Sequence, residues 1–137
     1  MNTSDFISGM LNSKIECFKK VRIFNIEYFF KTEEVYKKFM EHKIYEWAYQ
    51  LSERMIKKFN EEKFIVYVSD EYMRKGESIA DGIFIYSRNE KGEKVNALII
   101  DADDNPHVLF HEFGHFIDAC MGEAVCQYSR DIAIKAL

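Results

Sequence analysis

Residues 111–115 read His-Glu-Phe-Gly-His, so that two histidines four positions apart lie on either side of a glutamate. Residues four apart on an α-helix share a face and lie about 6 Å apart along the axis, which lets His111 and His115 bind one metal ion. Imidazole nitrogen is a preferred ligand of Zn²⁺. Glu112 lies at the edge of that face, where its carboxylate can activate a zinc-bound water as a general base. The pattern predicts a catalytic zinc site with metal ligands His111 and His115 and catalytic residue Glu112.

Two other interpretations of the same segment are weaker. A pair of histidines on an apolar helix is often ordinary packing, although such a pair seldom brackets a glutamate. A calcium-binding loop of the EF-hand type is matched at four of its positions by Asp101, Asp103, Asn105 and Glu112. That loop requires glycine for its sharp turn where this chain has Pro106, whose fixed φ favours the first position of a helix.

Length and composition favour one globular domain over residues 1–137. The 137 residues are 47% hydrophobic and 15% aromatic, which is enough to build a sizeable core. The formal net charge of -4 is uneven, since residues 1–60 contain 11 Lys and Arg against 8 Asp and Glu, and residues 61–137 contain 8 against 15. Neither half offers the strongly basic face that phosphate binding needs, so we expect no nucleic-acid partner.

Cysteine usage and the first residues of the chain bear on its location. Cys17, Cys120 and Cys126 form no C-x-x-C metal or redox motif, so free thiols are expected. The first residues lack the pattern of a signal peptide, and no apolar run reaches transmembrane length. These features predict no membrane partner and a cytoplasmic location by default. A secreted protein trimmed of its leader would have the same sequence.

Hydrophobic periodicity predicts three elements in the first half of the chain: a helix over residues 3–20, a strand over 21–30 and a long helix over 32–59. The long helix is supported by acidic residues in its first turn and by apolar residues three or four apart. This apolar stripe consists of Tyr36, Met40, Ile44, Trp47, Leu51, Met55 and Phe59. We expect the stripe to be buried core rather than a cofactor-binding surface.

The second half is predicted to contain a buried strand at 63–69, an irregular stretch at 70–80, a hairpin of strands at 83–86 and 95–100, the histidine-bearing helix at 107–121, and a final helix at 123–137. Asn105 as the cap and Pro106 in the first helical position predict where the histidine-bearing helix begins. Gly122 is expected to end it. The predicted fold is α+β, with the long helix packed on a small mixed sheet.

The segment His-Glu-Phe-Gly-His-Phe-Ile-Asp, ending at Asp118, resembles the zincin metallopeptidases when it is taken with the hairpin before it and the Asn105-Pro106 helix start. Within that family it is similar to the catalytic domain of anthrax lethal factor and to the clostridial proline–proline endopeptidases. The resemblance implies a zincin-like domain in which His111 and His115 bind Zn²⁺ on an active-site helix and Glu112 activates water. It also implies that residues 83–86 form an edge strand lining the cleft, along which an extended peptide or protein substrate lies.

The sequence departs from this family at the third zinc ligand. In these relatives a glutamate on a later helix completes the site, whereas only 22 residues follow His115 here, without such a helix. A helical hairpin turning at Gly122 would bring Asp131 level with Phe113, which makes Asp131 the candidate within the chain. The alternative is a chain that holds the catalytic half of a zincin, with its third ligand beyond Leu137.

The expected function is therefore that of a toxin-like, zinc-dependent endopeptidase that hydrolyses peptide bonds. The rival is a non-catalytic zincin-like binding module, or a truncated remnant, that lacks a complete metal site. A missing helix would leave apolar surface exposed beside the cleft, and a second copy of the chain would then cover it. A homo-oligomer is thus expected if the chain is truncated.

Overall fold

The computed structural model describes residues 8–9, 16–70, 82–102 and 106–121. The elements with described bounds are strands β1 (Lys19–Ile23) and β2 (Ile26–Phe30), helix α1 (Glu33–Glu41), a 3-10 helix (Ile44–Gln50), helix α2 (Glu53–Glu61), strands β3 (Ile65–Ser69), β4 (Gly82–Arg88) and β5 (Lys94–Asp101), and helix α3 (Pro106–Cys120). Among the described residues, no helix combines the length and the apolar composition needed to span a bilayer.

The strands form one mixed sheet in the order β1-β2-β3-β5-β4. The three central strands β2, β3 and β5 are parallel to one another, whereas the edge strands β1 and β4 are each antiparallel to their neighbour. The predicted α+β class with a small mixed sheet is confirmed. The first strand of the predicted hairpin, β4, forms one edge of this sheet.

The predicted single strand over residues 21–30 is wrong, because the segment is a hairpin of β1 and β2. Its two-residue turn consists of Phe24 and Asn25, whose φ angles of 49° and 64° are both in the left-handed region. Such turns match the twist of paired strands, and asparagine tolerates this conformation better than most residues. The predicted helix over residues 3–20 is also wrong at its end, since Lys19 and Lys20 belong to β1. Most of its remainder lies outside the described residues.

The predicted long helix is three shorter helices. Lys43 interrupts it in the left-handed conformation with φ 52°, and Leu51 interrupts it again in an extended conformation. Ser52 then caps α2 by accepting a hydrogen bond from the backbone N–H of Met55. The prediction that the apolar stripe is core is confirmed for its last five members, which are buried, and Tyr36 and Met40 pack against the same core.

The second half of the chain follows the predicted order more closely. Strand β3 lies within the segment predicted at 63–69, and β4 and β5 form the predicted hairpin. Helix α3 begins at Pro106, as the position of this proline predicts. The irregular stretch apart from residue 70, the predicted helix end at Gly122 and the final helix at 123–137 lie outside the described residues.

The two faces of the sheet carry separate clusters of buried side chains, to which alternate residues of each strand contribute. The face that packs against the helices contributes Tyr28, Val66 and Leu98 to the larger cluster. The opposite face contributes Tyr67 and Ile99 to a smaller cluster. Because side chains alternate along a strand, this division assigns every second residue of β4 to the helix-covered face as well.

Aromatic rings from three segments hold α3 against the sheet. The indole of Trp47 lies 5.5 Å from the ring of Phe113, and the ring of Phe59 lies 5.1 Å from that of Phe116. Phe64 makes a third contact with Phe116 at 5.1 Å between ring centroids. The breaks in the predicted long helix thus place Trp47 and Phe59 on separate short helices that converge on α3.

The hydrogen bond between Trp47 and Tyr28 supports this arrangement and can be tested by Tyr28→Phe. The indole Nε1 of Trp47 donates to the Tyr28 hydroxyl at 2.9 Å, and both side chains are buried. Loss of the acceptor leaves a buried N–H unsatisfied, so the free energy of unfolding should fall by about 1–3 kcal/mol in urea denaturation. Tyr49→Phe is the control, because the Tyr49 side chain is 55% exposed, and should change stability by less than about 0.5 kcal/mol. Equal losses in the two variants would contradict this role.

Candidate metal and catalytic site

Helix α3 presents two faces of opposite character. Its inner face carries Leu109, Phe113 and Phe116, none of which has measurable exposure. His111 and His115 lie on the outer face and are exposed. Burial of the apolar residues fixes the rotation of the helix about its axis, so the two histidines share one accessible surface.

The two imidazole rings have the separation that a shared metal ion requires. Their centroids are 4.9 Å apart and their planes are nearly perpendicular, at 88°. Zinc–nitrogen bonds of about 2.0–2.1 Å in tetrahedral geometry place two ligating imidazole centroids about 5 Å apart. The observed separation of the two rings is compatible with the predicted pair of zinc ligands.

Glu112 lies between the histidines in the sequence, but its side chain is turned inward. The residue is only 5% exposed, and its side chain packs against the start of strand β4. Burial raises the pKa of Glu112 above its ordinary value, and the neighbouring His111 and His115 oppose that shift. A buried carboxylate is costly to ionise, and such groups are common at catalytic sites.

Gly82, at the start of edge strand β4, is the residue that sequence reasoning missed. A Cβ atom at this position would lie 2.8 Å from Cγ and 2.9 Å from Oε2 of Glu112, and 2.9 Å from Cγ1 of Val108. Only glycine therefore lets the backbone of β4 approach Glu112 this closely. A glycine that opens an apolar strand is a general sign of close backbone approach, although it does not identify the neighbour.

The next residues of β4 on the helix-covered face extend the site away from the histidines. The ring of Phe84 lies 5.9 Å from the imidazole of His115 and 5.6 Å from the buried ring of Phe64. Tyr86 also stacks on Phe64, with 5.9 Å between ring centroids and an interplanar angle of 21°. The histidine pair is thus continuous with a row of aromatic rings along the sheet edge.

A complete metal shell is not found in the described part of the chain. No group of three or more His, Cys, Asp or Glu side chains converges there, so His111 and His115 form a two-ligand site within those residues. The proposed third ligand Asp131 lies outside the described residues. The alternative of an EF-hand calcium loop is not supported at Asp101, its first ligand position, because Asp101 ends strand β5 where an EF-hand would require a helix. Two further positions of that loop, Asp103 and Asn105, lie outside the described residues.

Comparison with known proteins gives no further guidance: the chain matches no protein-family model, no curated protein and no solved structure. The chemistry of α3 and β4 is therefore the basis for assigning a function. The structure brings together the three residues singled out in the sequence, His111, Glu112 and His115, and adds Gly82 and Phe84 from the edge strand.

The close approach of Gly82 and Glu112 predicts the effect of Gly82→Ala. The added methyl group overlaps Glu112 and Val108, so the free energy of unfolding should fall by about 1–3 kcal/mol. Combination with Val108→Ala removes one of the overlapping side chains, and the double variant should lose less stability than the sum of the two single losses. Urea denaturation measures this cycle, with Ser87→Ala on the same strand as the control. Additive losses would show that the alanine does not meet Val108.

Proposed function

We propose that this chain is a zinc-dependent, zincin-type endopeptidase in which His111 and His115 bind the metal and Glu112 is the general base. The observation that supports the proposal most is the combination of an exposed histidine pair with a buried carboxylate on the intervening residue. Apolar packing alone does not favour this arrangement, because burial of an ionisable carboxylate reduces stability. Retention of such a residue is expected where its basicity is used.

Each residue of the site has a role in peptide hydrolysis. Zinc, when bound, acts as a Lewis acid that polarises the scissile carbonyl and lowers the pKa of water. His111 and His115 hold the ion at the surface of α3. Glu112 accepts the proton of the attacking water and transfers it to the leaving amine. The contact with Gly82 holds its carboxylate in place beside the start of β4.

The two edges of the sheet differ in a way that supports peptide binding along β4. Edge strand β1 carries Lys19, Lys20 and Arg22 within five residues, a charge pattern that discourages strand addition. Edge strand β4 is uncharged from Gly82 to Ser87 and starts beside Glu112. A peptide that adds to β4 as a further strand would pass the histidine pair with its backbone held by main-chain hydrogen bonds. A mixed sheet with an uncharged edge beside α3 is consistent with a zincin-like fold.

The rival proposal is a binding module that keeps this edge but has no catalytic activity. It is favoured by the absence of a third ligand among the described residues. The peptidase proposal requires both a bound zinc ion and peptide hydrolysis, whereas the binding module requires neither. Zinc content and hydrolysis can be measured separately.

Zinc binding tests the metal site directly. The purified chain should contain or take up one equivalent of Zn²⁺, and His111→Ala or His115→Ala should abolish this, because each removes one of the few ligands. Metal analysis and isothermal titration give the stoichiometry. His42→Ala is the matched control, since His42 is an exposed histidine in the turn after α1 and should leave zinc binding unchanged. An unaltered stoichiometry in both site variants would refute the proposal.

The same titration identifies the third ligand. If Asp131 completes the site, Asp131→Asn should weaken zinc binding about as much as His111→Ala does, because each change removes one donor of three. Unchanged affinity in Asp131→Asn would exclude Asp131 and assign the third ligand elsewhere.

The role of Glu112 is tested by Glu112→Gln. The amide cannot accept the proton, so peptide hydrolysis should fall by about 100- to 10,000-fold while zinc binding is retained. Mass spectrometry of a mixed peptide library incubated with the zinc-loaded protein measures cleavage. Glu46→Gln, an exposed glutamate of the 3-10 helix, is the control and should cleave at the wild-type rate. Absence of cleavage by the zinc-loaded wild-type chain would favour the binding module.

A further inference from the structure

Tyr86 has features of a binding surface that the proposed hydrolysis does not use. Its side chain is 51% exposed, although it belongs to the apolar part of β4. One face of its ring is fixed by stacking on the buried Phe64, and its neighbour Phe84 lies 6.3 Å away. The Cys120 thiol lies beside its hydroxyl, and this interaction raises the pKa of Tyr86. A rigid aromatic ring with an open face offers contact area at low entropic cost.

A small pocket adjoins this ring on the side away from the histidines. It measures about 230 Å³ and is lined by Tyr86, Ser87, Arg88, Lys94 and Asn96. This volume is below the range of pockets that hold whole small-molecule ligands, so it is better matched to one side chain. Arg88 is exposed, and Lys94 is paired with Glu62 at 2.9 Å. The positive charge of Arg88 disfavours a lysine or arginine side chain there, and the exposed face of the Tyr86 ring provides the apolar surface against which an aromatic side chain can stack.

The position of Tyr86 relative to the histidines determines which residue of a bound peptide would lie beside it. Phe84 contacts the imidazole of His115, and Tyr86 follows on the same face two residues later. Two residues of an extended strand span about 7 Å, whether they belong to β4 or to a peptide paired with it. A peptide residue that lies at Phe84 is therefore followed, two positions along, by one that lies at Tyr86.

We infer that Tyr86 forms a specificity subsite for a large apolar, preferably aromatic, side chain of the substrate, two positions from the substrate residue nearest the histidine pair. This inference rests on the proposed peptidase function and adds the class of substrate. The opposite side of the edge is compatible with it, because Ile83 and Ile85 are half-buried there and also carry no charge. The substrate is thus an extended apolar segment rather than a charged one.

The test uses a library of extended peptides in which Phe, Leu, Gly, Asp or Arg is placed at each position in turn. Cleavage by the zinc-loaded wild-type chain is followed by mass spectrometry, and binding to the zinc-loaded Glu112→Gln chain is followed by fluorescence polarisation. We expect about a tenfold preference for Phe over Gly, Asp and Arg at one position, from ring stacking together with apolar burial. Tyr86→Ala should remove that preference, and Tyr86→Phe should retain it.

Tyr49→Ala is the matched control, because Tyr49 is another tyrosine about half exposed but lies on the 3-10 helix against Phe24. It should leave the preference unchanged. Cleavage without a preference that depends on Tyr86 would overturn the subsite and leave the peptidase proposal standing. A preference that depends on Tyr86 in binding, without cleavage by the wild-type chain, would support the subsite and overturn the peptidase proposal. If no peptide is bound or cleaved, both are overturned.

Discussion

Burial of the aromatic face of α3 is the constraint on which the site depends. Phe113 and Phe116 lie against Trp47 and Phe59, and none of these four side chains is more than 1% exposed. Rotation of α3 about its axis would bring these rings into water, at a cost of about 1.5–3 kcal/mol for each ring exposed. The orientation of the histidine pair is therefore set by hydrophobic packing on the opposite side of the helix, before any metal is bound.

The elements that the sequence predicted correctly are those that depend on residues within the element itself. Pro106 marks the start of α3, and the apolar runs at β3 and β5 mark buried strands. The breaks at Lys43 and Leu51 were missed because three short helices that pack on one sheet face keep the same apolar spacing as one long helix. Ser52, a residue type that often caps helices, was the feature of the sequence that could have located the second break. The hairpin at Phe24 was missed because phenylalanine is unusual in a left-handed turn.

The candidate site shows the same division between local and distant determinants. The pairing of His111 with His115 follows from helical spacing alone, and the structure gives it the expected separation. The burial of Glu112 does not follow from spacing, because it depends on Gly82, which is distant in sequence and reaches α3 only through the position of β4 at the sheet edge. The ring of Phe84 beside His115 has the same origin.

The charge of β1 limits how copies of the chain can assemble through their sheets. A filament with a continuous sheet has to use both edges of every copy, so its growth requires pairing through β1 as well as through β4. The ammonium groups of Lys19 and Lys20 lie 4.6 Å and 4.9 Å from the ring centroids of Tyr36 and Phe29, so both charges are held close to β1. An incoming strand would desolvate these charges. The charge of β1 therefore disfavours growth of a continuous sheet, because every such assembly has to use the β1 edge.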